Sequence, residues 1–252
     1  MRVEVLGCYG GASPGCHLTC LILNDRVALD AGCLAQSLPL ERQLAIEAVV
    51  VSHSHMDHTN GLPFFIDNVF GRRETLDIFG SEPTIRTLRE HLFNQATWPD
   101  FAALPSHLLP TIRFEHFESE RPFEAGGVRF TPIPVTHVVP THGFLLEQDG
   151  AAMLWSSDTG PTDRLWEVAN AAERLDALCI DVSFDNARQA VADASQHLTP
   201  RSLAGELAKL KRDVPVLVHH LKPGAEAAAR AEIRALGDER VEFLEQGRVY
   251  EL

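Results

Sequence analysis

Between Val51 and Gly61 the sequence VSHSHMDHTNG places His53, His55, Asp57 and His58 within six residues. Imidazole and carboxylate without thiolate form a ligand set that suits Zn²⁺, with Mn²⁺ or Fe²⁺ as substitutes. His53 and His55 are two apart, so extended backbone points them the same way. Asp57 and His58 follow where Gly61 signals a turn. One ion could take the first two histidines and a second ion the aspartate and the histidine after it. Each is then short of ligands, which must come from distant parts of the chain. The candidates are His137 in PVTHVVPTHGF, Asp158 in LWSSDTGPT and His219 or His220 in VLVHHLKP. Any one of these histidines alone would be read as a solvated loop residue. The spacing HxHxDH directly after an apolar run favours metal.

These residues need elements that bring them together. RVEVLG, CLILND and RVALDAG read as short strands with polar turns, and IEAVVVS is a β-branched run ending at the histidines. Helical character follows in PTIRTLREHLFNQ. LDIFG, GVRFTPIPV, HGFLLEQ and AAMLWSSD return to strand, TDRLWEVANAAERL is helical, and LDALCIDV is another buried strand. TPRSLAGELAKLK predicts a helix capped by Thr199 with Pro200 at its first position. VPVLVHHLKP is a strand ending in histidines, GAEAAARAEIRALG a helix closed by glycine, and RVEFLEQGRVYEL is expected to close the chain as a hairpin. Two sheets packed face to face with helices outside accommodate this order. The polar clusters all follow apolar strands, where strand ends converge on one edge of the sheets.

With 252 residues and neither repeats nor low-complexity segments, the chain is read as one domain, residues 1–252. Its 35 acidic against 22 basic residues, a formal net charge of -13, argue against a polyanion held by charge alone, so no stable nucleic-acid complex is expected. A small anion is not excluded, because bound cations reverse the local field. No apolar run approaches the roughly 20 residues of a membrane span. The N-terminus lacks the apolar stretch of a secretory signal, and a cytoplasmic location is expected. The five cysteines form no CxxC pair and are expected to be mostly buried, reduced thiols.

SHSHMDH resembles the HxHxDH signature of the metallo-β-lactamase superfamily, and the resemblance runs along almost the whole chain. LGCYGG, LDAG, His137, SSDTG and HHLKP fall in the order which that superfamily uses. The resemblance implies an α/β fold, the αββα sandwich of two mixed β-sheets flanked by helices. It also implies that His53, His55 and His137 hold one divalent ion, that Asp57, His58 and His220 hold another, and that Asp158 bridges them. His220 rather than His219 fits the family pattern of His, an apolar residue and Lys-Pro, and alternation puts the two rings on opposite faces. Asp30 in LDAG is expected to orient a ligand histidine rather than to touch metal. His142 is left for a supporting or substrate role.

The metal motif does not choose a substrate, since the superfamily includes hydrolases of lactams, thioesters and lactones. LREHLFNQATWPDF, Leu88 to Phe101, is similar to a segment of class II cyclic-nucleotide phosphodiesterases. DVSFDN with the later SQHLTP is similar to a second segment of that family. This resemblance implies hydrolysis of 3′,5′-cyclic nucleotides, cAMP or cGMP, to 5′-monophosphates through a hydroxide bridging the two ions. Asp57 and His197 are then the catalytic candidates, with His197 as proton donor to the leaving ribose oxygen or as a phosphate contact. Asn94, Trp98 and His197 are the candidates for substrate contact. The plainer readings are a core aromatic for Trp98, a turn or cap for Asn94 and a helix cap for His197. The alternatives for the whole chain are a tRNA 3′-processing-like nuclease, a lactone or thioester hydrolase, and a metal-binding protein without catalysis. Superfamily relatives often dimerise, and helix faces here permit a homodimer.

Overall fold

A computed structural model of the chain describes residues 1–106 and 109–252. Strands β1 (Arg2–Gly7), β2 (Cys20–Leu23) and β3 (Val27–Leu29) form an antiparallel meander. Helices α1 (Leu34–Ser37) and α2 (Leu40–Gln43) lead into β4 (Ala48–Val50). After it come α3 (Met56–Thr59), α4 (Leu62–Asn68), β5 (Leu76–Gly80) and α5 (Glu82–Thr87). The short strands β6 (Pro105–Ser106) and β7 (Leu109–Pro110) pair antiparallel ahead of β8 (Ile112–His116). The second half runs β9 (Phe123–Ala125), β10 (Val128–Pro134), β11 (His142–Gln148), β12 (Ala151–Trp155), α6 (Arg164–Ala171), β13 (Ala177–Asp181), α7 (Gln189–Ser195) and α8 (Pro200–Leu207). It closes with β14 (Val216–His219), α9 (Glu226–Arg234), β15 (Val241–Phe243) and β16 (Val249–Glu251).

The strands build two seven-stranded sheets, ordered β16-β1-β2-β3-β4-β5-β8 and β15-β14-β13-β12-β11-β10-β9. In each sheet one half is antiparallel and the other parallel. Period-two alternation sorts the side chains into three cores. Leu21, Leu23 and Val50 of the first sheet meet Met153, Trp155 and Cys179 of the second between the sheets. The alternate residues Ile22 and Val49 turn outward to pack with Leu34, Leu62 and Phe65 of α1 and α4. Leu154, Leu178 and Val218 do the same on the other side, against Leu165, Leu203 and Ile233 of α6, α8 and α9. Three cores separate four layers, and the result is the expected αββα sandwich.

Two local expectations change. The helix read over PTIRTLREHLFNQ is α5 followed by a π-helical turn, Leu88–Leu92, in which Phe93 N–H donates to Leu88 O over 2.8 Å. It stops there because Asn94 takes over the backbone. Its amide donates to Glu90 O, and its Oδ1 accepts from the N–H groups of Ala96 and Thr97. The closing segment is not a hairpin. β15 lies beside β14 in the second sheet, while β16 pairs with β1 in the first. The residues between them bond to β1 instead of folding back, through Gly247 N–H to Val5 O and Val5 N–H to Arg248 O. Gly247 takes a φ of +82°, which suits glycine.

The cap predicted at Thr199 is present and reciprocal. Thr199 Oγ1 accepts from Ser202 N–H, and Ser202 Oγ accepts from Thr199 N–H, with Pro200 in the first turn. Thr199→Ala is expected to cost about 1 kcal/mol of stability, read as a lower midpoint in urea at unchanged slope. All five cysteines are free, Cys16 partly exposed and the rest buried. No helix among the described residues is long and apolar enough to cross a membrane.

Candidate metal centre

The parallel strands of both sheets end at one edge, and their ends carry the chemistry. The chain leaving β4 supplies His53 and His55, and α3 supplies Asp57 and His58. The loop after β10 supplies His137, the end of β12 Asp158, and the end of β14 His220. Ligand atoms of His53, His55, His137 and Asp158 lie within 4.8 Å of one another, and so do those of Asp57, His58, Asp158 and His220. Asp158 belongs to both groups and divides its oxygens between them. Its Oδ2 faces His53 Nε2 at 3.6 Å and His137 Nε2 at 3.9 Å. Its Oδ1 faces His58 Nε2 at 3.1 Å and His220 Nε2 at 3.2 Å. The structure therefore gathers all seven residues singled out in the sequence into two sets joined by one carboxylate.

The outer nitrogens of these rings are already engaged. His58 Nδ1 meets Asp30 Oδ2 at 2.7 Å, and Asp30 also accepts from the N–H and hydroxyl of Ser52. His220 Nδ1 meets Ser183 Oγ at 2.8 Å, His53 Nδ1 meets Ser52 Oγ at 3.0 Å, and His137 Nδ1 donates to Gln196 O over 3.2 Å. With Nδ1 committed outward on His53, His58, His137 and His220, their Nε2 atoms point inward. Two pairs of inward nitrogens come close: His58 and His220 at 3.4 Å between Nε2 atoms, and His137 Nε2 with His55 Nδ1 at 3.2 Å. Nitrogens placed this close need a proton or a metal ion between them. His53 Nε2 and Asp158 Oδ1 are moreover buried without a hydrogen-bond partner, the carboxylate oxygen being near two imidazoles but aligned with neither. Orphaned polar atoms, converging ring nitrogens and an N/O donor set all fit divalent metal.

The two sets differ in protonation. Burial drives the His53 ring far below the usual imidazole range and His137 down to about 4, so both present neutral nitrogens. Burial acts the same way on His58 and His220, but Asp158 and the other carboxylates outweigh it, raising His58 well above the usual range and His220 to about 9. Burial raises Asp158 and Asp57, yet His220 and His58 pull both carboxyls below their ordinary range. A cation entering the second set must displace those imidazole protons.

Close approach is built into the backbone. A side chain at Gly10 would meet the His220 ring at 2.5 Å, and one at Gly32 would meet Asp57 O at 2.1 Å. His220 itself has a φ of +70°, a left-handed conformation that turns its ring away from that of His219. His219 stacks on Trp155 at 3.9 Å and contacts Ser156 Oγ through Nε2. His220→Ala is thus expected to deplete bound metal, whereas His219→Ala should lower stability and leave metal content intact. Metal analysis of the dialysed variants checks both, and the reverse pattern would exchange their assignments.

His197 stands beside the two sets, its ring 4.9 Å from that of His137 and 5.2 Å from that of His220. Its Nδ1 donates to Asp181 Oδ2 over 2.7 Å, which turns Nε2 away from the strand end. It does not cap α8, a task Thr199 performs. Asn94 and Trp98 are placed differently. Asn94 spends its side chain on the turn described above. Trp98 is partly buried against the first core and meets Phe64 edge-on at 5.2 Å. Among the described residues, no hydrogen bond or ring contact joins either to the histidines. Asn94 lines a separate groove of about 590 Å³ with Arg86, Arg89 and His116. His142 is buried against Phe117, with Nε2 3.2 Å from Ser119 Oγ.

Reading the sequence missed three participants. Asp181 holds His197, Ser183 holds His220, and Lys222 reaches Asp57 Oδ2 at 3.4 Å while bonding Gly10 O. The available signal for Asp181 was its place at the end of a buried strand, the same place as Asp158.

A family model described as a beta-lactamase superfamily domain matches residues 25–220. The chain is 28% identical to a probable 3′,5′-cyclic-nucleotide phosphodiesterase of Yersinia pestis, over 98% of this chain and 88% of that protein. It is 27% identical to a ribonuclease Z of Metallosphaera sedula, over 61% of this chain and 51% of that protein. The crystal structure of unliganded yeast PDE1 superposes with a TM-score of 0.78 at 17% identity, covering 98% of each chain.

Proposed function

The chain belongs to the beta-lactamase superfamily and has the metallo-β-lactamase fold, and on that premise we propose that it is a dinuclear metal phosphodiesterase opening 3′,5′-cyclic nucleotides to nucleoside 5′-monophosphates. The observation that carries the chemistry is Asp158, one oxygen toward each histidine set, with His197 beside both. In this reading His53, His55 and His137 would hold one ion and Asp57, His58 and His220 the other, with Asp158 shared by both. Divalent ions bound there would supply an activated water and charge neutralisation at the phosphoryl oxygens. Zn²⁺ suits the donor set.

The chain's own residues then have distinct tasks. Asp30, Ser52 and Ser183 fix the ring orientations. Asp57 accepts from Lys222 and lies 3.3 Å from His220 Nε2, so its carboxylate stays ionised and aimed at the second set. Opening the ring to a 5′-monophosphate breaks the bond from phosphorus to O3′, and that oxygen must leave with a proton. His197, held through Nδ1 by Asp181, has Nε2 left to deliver it.

The cyclic-nucleotide assignment is supported by the near full-length likeness to the Yersinia pestis protein. A tRNA-processing-like nuclease is the second reading, favoured by the likeness to ribonuclease Z. The net charge of -13 weighs against it. The metal-loaded protein should hydrolyse cAMP or cGMP in preference to a tRNA precursor and a lactone. Turnover of the lactone alone, with both cyclic nucleotides intact, would overturn the proposal.

A further inference from the structure

Phe184 is an aromatic residue that packing does not explain. It is half-buried, belongs to none of the three cores, and its one ring neighbour among the described residues is His197, at 6.0 Å and 67°. It follows Ser183, whose hydroxyl meets His220, so it stands on the loop that reaches the metal centre. A large apolar ring held partly in water beside a proton-delivering histidine is a contact surface rather than a core residue. Two further exposed apolar side chains adjoin ligand candidates in the sequence, Val138 after His137 and Met56 after His55, each more than half exposed at 52% and 58%.

Polar acceptors on the Phe184 loop are spent. The Asp185 carboxylate accepts from Arg188 N–H and from the Arg188 guanidinium, and Asn186 Oδ1 accepts from Arg201 N–H. The loop therefore presents a flat face and little with which to read the edge of a ring.

We infer that Phe184 is the platform of an aryl subsite, on which the aromatic group of the phosphodiester stacks while its phosphoryl group lies at the metal centre. The inference rests on the phosphodiesterase reading and deepens it, the aryl group being the nucleobase. Stacking engages the face that every base has, so adenine and guanine are bound alike.

The test uses metal-loaded wild type, Phe184→Ala and Phe184→Leu, the last keeping apolar bulk without the π-face. Substrates are cAMP, cGMP and a ribose 3′,5′-cyclic phosphate lacking the base. Both variants are expected to raise KM for cAMP and cGMP about 10-fold and to a similar extent, with the baseless substrate changed less than about twofold. Equal losses on all three substrates, or none, would overturn the subsite. If wild type turns over none of the three, the cyclic-nucleotide reading fails, and the subsite is judged separately. The comparison is then bis(p-nitrophenyl) phosphate against methyl p-nitrophenyl phosphate. A preference for the second aryl group that disappears in both variants upholds the platform, and any other result removes it.

Discussion

His197→Ala is expected to leave the bound ions in place and to cut cAMP turnover by about 10²–10⁴-fold. The ring touches both histidine sets without belonging to the pair that Asp158 joins. Its Nδ1 is tied to Asp181, whose carboxyl is held below its usual range because His197 and His220 outweigh the effect of burial. A residue so placed is expected to deliver a proton and to be dispensable for holding metal. The size of the loss should follow the leaving group. A ribose alkoxide needs the proton, whereas p-nitrophenolate departs without one, so bis(p-nitrophenyl) phosphate should be affected far less. Equal losses on both substrates, accompanied by metal depletion, would make His197 a ligand. That outcome has a structural route, since Asp181, His197 and His220 themselves present ligand atoms within 4.8 Å of one another.

Asp158→Ala is expected to reduce metal content from about two ions per chain to fewer than about one, and with it all hydrolysis. The carboxylate is the one side chain shared by the two four-residue sets. Removing it also withdraws the charge that favours protons on His58 and His220, leaving buried imidazoles with fewer partners. Asp158→Asn keeps one carbonyl oxygen and should retain at most one of the two ions. Undiminished metal content in Asp158→Ala would mean that the two sets are independent sites or that neither holds an ion.

Much of this centre is legible in the sequence. HxHxDH after a β-branched strand, and isolated His and Asp residues after later apolar runs, are local signals. Layered sheets have few ways to arrange strand ends except along a common edge. The Thr199 cap was legible for the same reason, being decided within four residues. What escaped notice was set by long-range pairing. RVEFLEQGRVYEL looks like two strands and a turn, but Gly247 and Arg248 bond to Val5, so the segment joins two sheets. Asp181 and Ser183 read as a strand end because their partners lie 16 and 37 residues onward. Asn94 and Trp98 rested on resemblance alone, and the structure shows Asn94 closing a turn and Trp98 leaning on the first core.

The central claim is that this metal centre opens a cyclic phosphodiester at O3′ with water. It is tested most directly by incubating the Zn²⁺- or Mn²⁺-loaded protein with cAMP in ¹⁸O-labelled water and identifying the product. The account predicts 5′-AMP carrying the label on its phosphate. Recovery of intact cAMP, or of 3′-AMP, would contradict it.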